Sequence, residues 1–278
     1  MANETTTSTA NDIYFAAWVD DLILNEERPL NVMRPFFYTV GPRNSSAVDL
    51  PTQDDPGAAA ASYTEGTGLS NTALATSKVT ATAVATGMMA TVTDELVENS
   101  IIDAYGHFGG VLARAVAERF ETDATSLLDE FATTANTAGV ALTYSTLLGA
   151  VNGLAQRDQP TGNNVVGILD PTQILDLSRD VGTSGAAIWG KQGDGGTQDV
   201  TLAGAVGHLA GADLYQTSLV SATGGGVFLD QIAVALYEIR PYRTELQRDA
   251  SMPGTEVIVT TRYGVTERRD RAGTTVLI

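Results

Sequence analysis

The sequence contains no cysteine, only two histidines, and only two lysines, Lys78 and Lys191. The first absence excludes disulfides, thiolate metal sites and cysteine nucleophiles outright. Aromatic residues make up 6% of the chain, too few for one deep aromatic core, so thin layers and extended segments are expected. No stretch reaches the roughly 18 consecutive apolar residues that a membrane-spanning helix requires. The amino terminus, Met1-Ala2-Asn3-Glu4-Thr5-Thr6-Thr7, has no basic region followed by an apolar run. No secretory leader is therefore read there, and a protein made in the cytosol is expected.

What the chain has in excess is acid. The 33 Asp and Glu outnumber the 16 Lys and Arg, giving a net charge of −17. Such a chain is repelled by phosphate backbones, because non-specific nucleic-acid binding rests on basic side chains displacing counterions. A wall that encloses nucleic acid without adhering to it would carry this sign. Acid-rich, lysine-poor surfaces also suit work in high salt, where repulsion is screened. A GC-rich genome, which favours arginine codons, produces the same skew. The 278 residues, 43% of them apolar, suffice for a sizeable core in one large domain or two ordinary ones.

A search for chemistry finds no constellation. His107 and His208 have no His or Cys partner at ligand spacing, so both read as structural. Gly182-Thr183-Ser184-Gly185 fails the nucleophile-elbow pattern. Gly190-Lys191-Gln192 lacks the Ser or Thr that a phosphate-binding loop needs for magnesium, and Gly204, Gly207 and Gly211 are misspaced for a dinucleotide fingerprint. Gly224-Gly225-Gly226 reads as a flexible turn. The acid pairs Asp20-Asp21, Glu26-Glu27 and Asp54-Asp55 lack calcium-loop spacing and read as solvated surface. No catalytic residue, cofactor or metal is assigned, and an enzyme is not expected.

The order of segments is more informative. Residues 1–35 read as an arm: a polar Thr/Ser/Asn tract, a short amphipathic piece (Ile13, Tyr14, Phe15, Trp18, Leu22, Ile23), then Pro29 and Pro35. In 36–92, Phe36–Val40 reads as a strand, and 41–75 is too rich in Pro, Gly and acid to build a core. That span is expected to be extended and packed on other chains. The Thr/Val alternation from Lys78 to Thr93 predicts a long strand interrupted at Gly87, pairing with 37–50 as an exposed two-stranded finger.

Thr93-Asp94 caps a helix whose apolar stripe runs Val97, Ile101, Tyr105, Phe108, Leu112, Val116, Phe120, Ala124, Leu127 and Phe131. One helix over 95–132 would measure about 55 Å, weakened near its middle by Gly106, Gly109 and Gly110. Residues 137–240 read as an α/β unit, with a helix over 143–155, a buried strand over 165–169 and a capped helix over 172–180. A Gly-rich loop over 182–196, a turn into a strand over 209–215 and an apolar element over 227–239 follow. The tail, 241–278, shows strands at 256–262 and 274–278.

This ordered set resembles the tailed-virus major capsid proteins of Hong Kong 97-like fold. Local stretches that resemble the family are Ala61-Ser62-Tyr63-Thr64-Glu65-Gly66-Thr67, Val92-Thr93-Asp94-Glu95-Leu96 and the helical run Leu112 to Asp123. Gly167-Ile168-Leu169-Asp170-Pro171-Thr172-Gln173, His208 to Tyr215 and Tyr263-Gly264-Val265 complete the set. The resemblance implies an α+β capsid fold with an N-terminal arm (1–35), an extended loop and its return strand (36–92), a peripheral domain with a long spine helix (93–136 and 241–278) and an axial domain (137–240). It also implies hexamers and pentamers in an icosahedral shell that encloses double-stranded DNA without binding it specifically, assembled in the host cytoplasm. A portal, a cement or decoration protein, and a separate scaffolding protein are the partners implied, the last because the chain begins close to its arm. With two lysines, a lysine–asparagine crosslink between subunits is not expected. Arg43, Glu65, Arg268, Arg269 and Arg271 are the candidates for intersubunit ion pairs. Two rivals remain: an encapsulin-type nanocompartment shell of the same fold, and an α/β enzyme with an unrecognised site.

Overall fold

The computed structural model describes residues 31–53, 62, 65–66, 76–99, 104–157, 165–184, 205–220, 224–249 and 253–278. A 3-10 turn, Arg34–Phe36, leads into β1 (Tyr38–Val40), β2 (Ala47–Gln53), β3 (Thr76–Thr82) and β4 (Val84–Thr93). Next come α1 (Asp94–Asn99), α2 (Ala104–Ser126), a 3-10 turn Leu127–Asp129, β5 (Thr134–Ala135), α3 (Tyr144–Gln156), β6 (Val165–Leu169) and α4 (Pro171–Ser184). The chain closes with β7 (Ala205–Leu209), β8 (Ala212–Gln216), β9 (Gly224–Leu229), β10 (Val234–Asp249), β11 (Gly254–Glu267), a 3-10 turn Asp270–Ala272 and β12 (Gly273–Leu277).

Local chemistry explains several boundaries. The Thr143 hydroxyl accepts the Thr146 N–H at 3.3 Å and opens α3. Asp170 accepts the Thr172 N–H at 2.7 Å, while Gln173 reaches back to accept the Asp170 N–H at 3.1 Å. With Pro171 at the first helical position, this reciprocal cap makes the strand-to-helix step after β6 abrupt. Ala210 and Gly211 take φ of 55° and 87°, as a two-residue turn of primed type requires, and β7 and β8 pair directly across them.

Two sheets carry the molecule. The four-stranded sheet runs β1-β10-β11-β4, and the six-stranded sheet runs β5-β12-β9-β6-β8-β7. β2 and β3 form a separate antiparallel ribbon. The helix α2 joins the layers. Its Leu112, Ala113 and Val116 pack on Val92, Val257 and Val259 of the four-stranded sheet. One to two turns later, Phe120 and Ala124 enter the main core with Leu128, Ile168 and Phe228. The periodic apolar face is what makes this possible: an i, i+4 row keeps one stripe on both cores. Tyr263 donates from its hydroxyl to Asp123 at 2.8 Å and ties β11 to the same helix.

Several expectations are corrected. The described spine helix α2 is 23 residues, about 35 Å, and residues 100–103 between it and α1 lie outside the described residues. Val97, expected on the buried stripe, is exposed. Thr93 pairs with Gly254 at the end of the sheet, so among the described residues no sheet surface remains beyond it for a helix to cover. Gly109 and Gly110 lie in the first turns of α2, not in its middle. The long Thr/Val strand breaks at Ala83, not Gly87: β3 pairs with β2, while β4 leaves the ribbon and pairs with β11. Gly87 instead permits close approach, since a Cβ there would stand 2.7 Å from the Val259 carbonyl.

The near part of the extended loop is not reserved for other chains. Val48, Leu50 and Ala81 are buried against Ala235 and Tyr237 of the same chain. The end of the arm is likewise core, because Val32 and Met33 pack with Phe36, Phe37 and Phe120. Gly224-Gly225-Gly226 opens the buried strand β9 and is no flexible turn. Side chains at Gly224 and Gly225 would collide with the Val276 and Ile168 carbonyls of the flanking strands, and one at Gly226 would press on Leu128. The tail is divided: β11 lies beside α2, whereas β12 sits between β5 and β9 in the six-stranded sheet. Residues 182–184 complete α4. The amphipathic piece at 13–23, most of 54–75, the loop from 185 to 204 and the His107 side chain lie outside the described residues.

Candidate intersubunit surface

Among the described residues, the strand β4 is an outer strand of its sheet, paired on one side only. A free strand edge presents unpaired N–H and C=O groups, and proteins ordinarily blunt it with charge or proline. β4, Val-Ala-Thr-Gly-Met-Met-Ala-Thr-Val-Thr, has neither. Val84, Met88 and Met89 are 63%, 45% and 54% exposed along it. The strand runs directly into α1, where Leu96 and Val97 are also exposed. Acid flanks this apolar strip: Glu95 and Glu98 are exposed, and Asp94 takes a bidentate pair from Arg248 at 2.6 and 3.2 Å. That pair fixes α1 to the end of the β10–β11 hairpin.

The ribbon β2–β3 packs on β10 and immediately precedes β4 in the chain. Its buried face is anchored by Tyr237, whose hydroxyl donates to the Ser45 carbonyl at 2.7 Å and accepts the Arg43 N–H at 3.3 Å. Its outer face carries Asp49, held by Lys78 at 2.6 Å and by the Thr80 hydroxyl at 2.6 Å. The Lys78 hydrogen bond, followed by that of Thr80, lowers the Asp49 pKa.

The five charged candidates fall into three places. Arg268, Arg269 and Arg271 share the turn between β11 and β12. Arg268 is occupied within the chain, its guanidinium 4.1 Å from the Tyr38 ring centroid and 3.4 Å from the Gln231 carbonyl. Arg269 is exposed, with its backbone N–H bonded to Ala233 O at 3.1 Å, and Arg271 is exposed in the following 3-10 turn. Arg43 is exposed at the base of the ribbon, and Glu65 sits in an exposed turn with Gly66 at φ 88°. The fold therefore gathers three candidates and leaves two apart. Beside the arginine turn, burial, then Asp270 and then Glu130 push the Glu267 pKa up to about 7.

The apolar strip on β4 and α1 was not singled out from sequence. A signal was available: apart from Lys78, residues 76–93 carry no charge. His208 Nδ1 lies 2.8 Å from Asp213 Oδ1 across the β7–β8 turn, a local pair within one hairpin. Among the described residues no group of acidic or histidine side chains could hold a metal ion, and no helix is long and apolar enough to cross a membrane.

No protein-family model matches the chain, and no curated protein sequence matches it. Solved structures do. The capsid of the cyanophage P-SCSP1u superposes with a TM-score of 0.71 at 12% identity, covering 90% of this chain and 88% of that one. The mature capsid of bacteriophage PhiM1 gives 0.66 at 13% identity, covering 89% and 86%. The SrpI encapsulin complex from Synechococcus elongatus gives 0.64 at 10% identity, covering 87% and 84%. Agreement over nearly the whole of both chains establishes the architecture, and identities this low establish nothing finer. The fold is α+β and of the Hong Kong 97-like capsid type, as the order of sequence segments led one to expect.

Proposed function

We propose that this chain is the major capsid protein of a tailed virus, self-assembling as hexamers and pentamers into an icosahedral shell around double-stranded DNA. The observation that carries the reading is the fold shared with phage capsids over about nine tenths of both chains. The edge of β4, uncharged and unpaired among the described residues, supports it, since a soluble monomer would ordinarily protect such an edge. The role is structural. Many weak contacts, repeated by symmetry, sum to a stable closed shell.

In this reading residues 1–35 are the arm, and the loop 36–92 reaches over a neighbouring subunit from its buried base. The spine helix with β10 and β11 forms the peripheral domain, and 137–233 with β12 forms the axial domain. The apolar strip of Val84, Met88, Met89, Leu96 and Val97 is covered by a neighbour. Arg43, Glu65, Arg269 and Arg271 are the candidates for ion pairs between subunits, while Arg268 first holds Tyr38. The shell assembles in the host cytoplasm with a separate scaffold and a portal, is finished with cement or decoration proteins, and becomes the virion wall. The acid excess suits a DNA-facing lining and a high-salt setting.

A second reading is an encapsulin-type nanocompartment shell. It is favoured by the likeness to the SrpI encapsulin and to a virus-like particle from Pyrococcus furiosus, the latter at TM-score 0.60 and 8% identity over 94% and 98% of the two chains. Electron microscopy of the purified protein, with sedimentation alongside, tests both. Closed shells or capsomers are expected, and their contents decide between DNA and a protein cargo. A stable monomer or dimer, with scaffold supplied and salt varied, overturns the shell reading and favours an enzyme.

A further inference from the structure

Glu121 lies on the inward side of α2 and is fully buried. Its two carboxylate oxygens accept the Met33 N–H at 3.3 and 3.2 Å, and the Val32 N–H bonds to it as well. No cation pairs with it among the described residues. Asn31, Val32 and Met33 are themselves buried, so this carboxyl receives the stretch of chain from which residues 1–30 lead away.

The charged groups on the surrounding elements are engaged elsewhere. On the root itself, Arg34 pairs with Glu238 of β10 at 2.9 Å. On α2, Arg114 pairs with Glu118 and Arg119 with Asp123. The Tyr263 hydroxyl of β11 donates to Asp123. On the remaining side, Thr125 donates to the Leu219 carbonyl at 2.8 Å, and residues 217–220 contain no titratable side chain.

We propose that Glu121 makes the docking of the 31–33 root on the spine helix proton-linked, the root being held tightest when the buried carboxyl is protonated and loosened as the proton leaves. A neutral carboxyl retains a carbonyl oxygen for the backbone N–H groups and avoids burying a charge. Releasing the root hydrates the carboxyl and relieves the cost of ionising it. Burial dominates the environment, and although the two backbone N–H bonds oppose it, the pKa is pushed up to about 7 from 4.5. The closed state therefore binds the proton more tightly than the open one, and acid favours closure. The inference does not depend on the shell reading, because it concerns one chain's own packing.

The test is hydrogen exchange of the full-length chain at pH 5.5 and 8.5, corrected for intrinsic exchange rates. It compares the 31–33 amides with those of β6 as an internal reference. With the two pKa values above, the opening constant of 31–33 is expected to be roughly 30-fold larger at pH 8.5. In Glu121→Gln, which keeps the acceptor but cannot titrate, protection should be the same at both values. Equal protection of the native root at the two pH values overturns the proposal. So does an unchanged pH response in Glu121→Gln, or β6 loosening in step with the root, which would make the opening global. If the variant fails to fold, the native comparison of root against β6 still decides.

Discussion

Single residues in this chain do unequal work, and glycine does more than its size suggests. Gly225 sits on β9 where the Ile168 carbonyl leaves no space for a Cβ. Gly225→Ala is expected to lower stability by about 1–3 kcal/mol, or to prevent folding, since the strand is central and cannot yield. Chemical denaturation followed by circular dichroism measures it. Glu267 carries a different consequence. Its folded pKa, about 7, exceeds the 4.5 of the unfolded chain, so the folded state binds the proton more tightly. Its contribution is fully present below pH 4.5 and is lost as pH rises through 7. The group is only part-buried, so solvent screens the effect. Unfolding curves at pH 5 and 8 should converge in Glu267→Gln by a small but measurable amount, whereas an identical pH response in the variant would assign the effect to other groups.

At the scale of elements, β4 and α1 show how a surface can be apolar without being core. Met88 and Met89 are exposed, so replacing both with Lys should change the chain's own stability by no more than about 0.5 kcal/mol per site. Covered by a neighbour, each methionine, already about half buried, would contribute about 1 kcal/mol. The double variant is therefore expected to assemble only at a concentration at least about tenfold higher, read by sedimentation. Normal assembly would place the neighbour elsewhere. Such a surface was readable in principle, because a long strand without charge or proline is unusual. Its position at the edge of the sheet was not, because pairing is settled by contacts distant in sequence. The helix α2 makes the same point. Its periodicity from Leu112 onward matched the buried face, but the sequence could not reveal where the sheet beneath it ends.

For the whole molecule, charge sets the conditions of association. Subunits of net charge −17 repel one another, with a screening length near 8 Å at physiological salt and about 30 Å at 0.01 M. Particles are expected to loosen when salt is dialysed away and to recover when it is restored, which light scattering follows directly. Indifference to salt would mean that local ion pairs, not net charge, dominate the contacts.

The sequence by itself determined the class of architecture, the periodic face of the spine helix, the capped step from β6 to α4, and the lack of any recognisable catalytic constellation. These depend on local periodicity, on capping groups within three residues, and on composition. Tertiary structure decided what required distant partners. It divided the Thr/Val strand between two sheets at Ala83, placed the glycine triplet in a central strand, and sent β12 away from β11. It also occupied Arg268 with Tyr38 and enclosed Glu121 beneath the chain's own Met33. Each of these turns on which surfaces meet, and burial is a property of the meeting rather than of the residue.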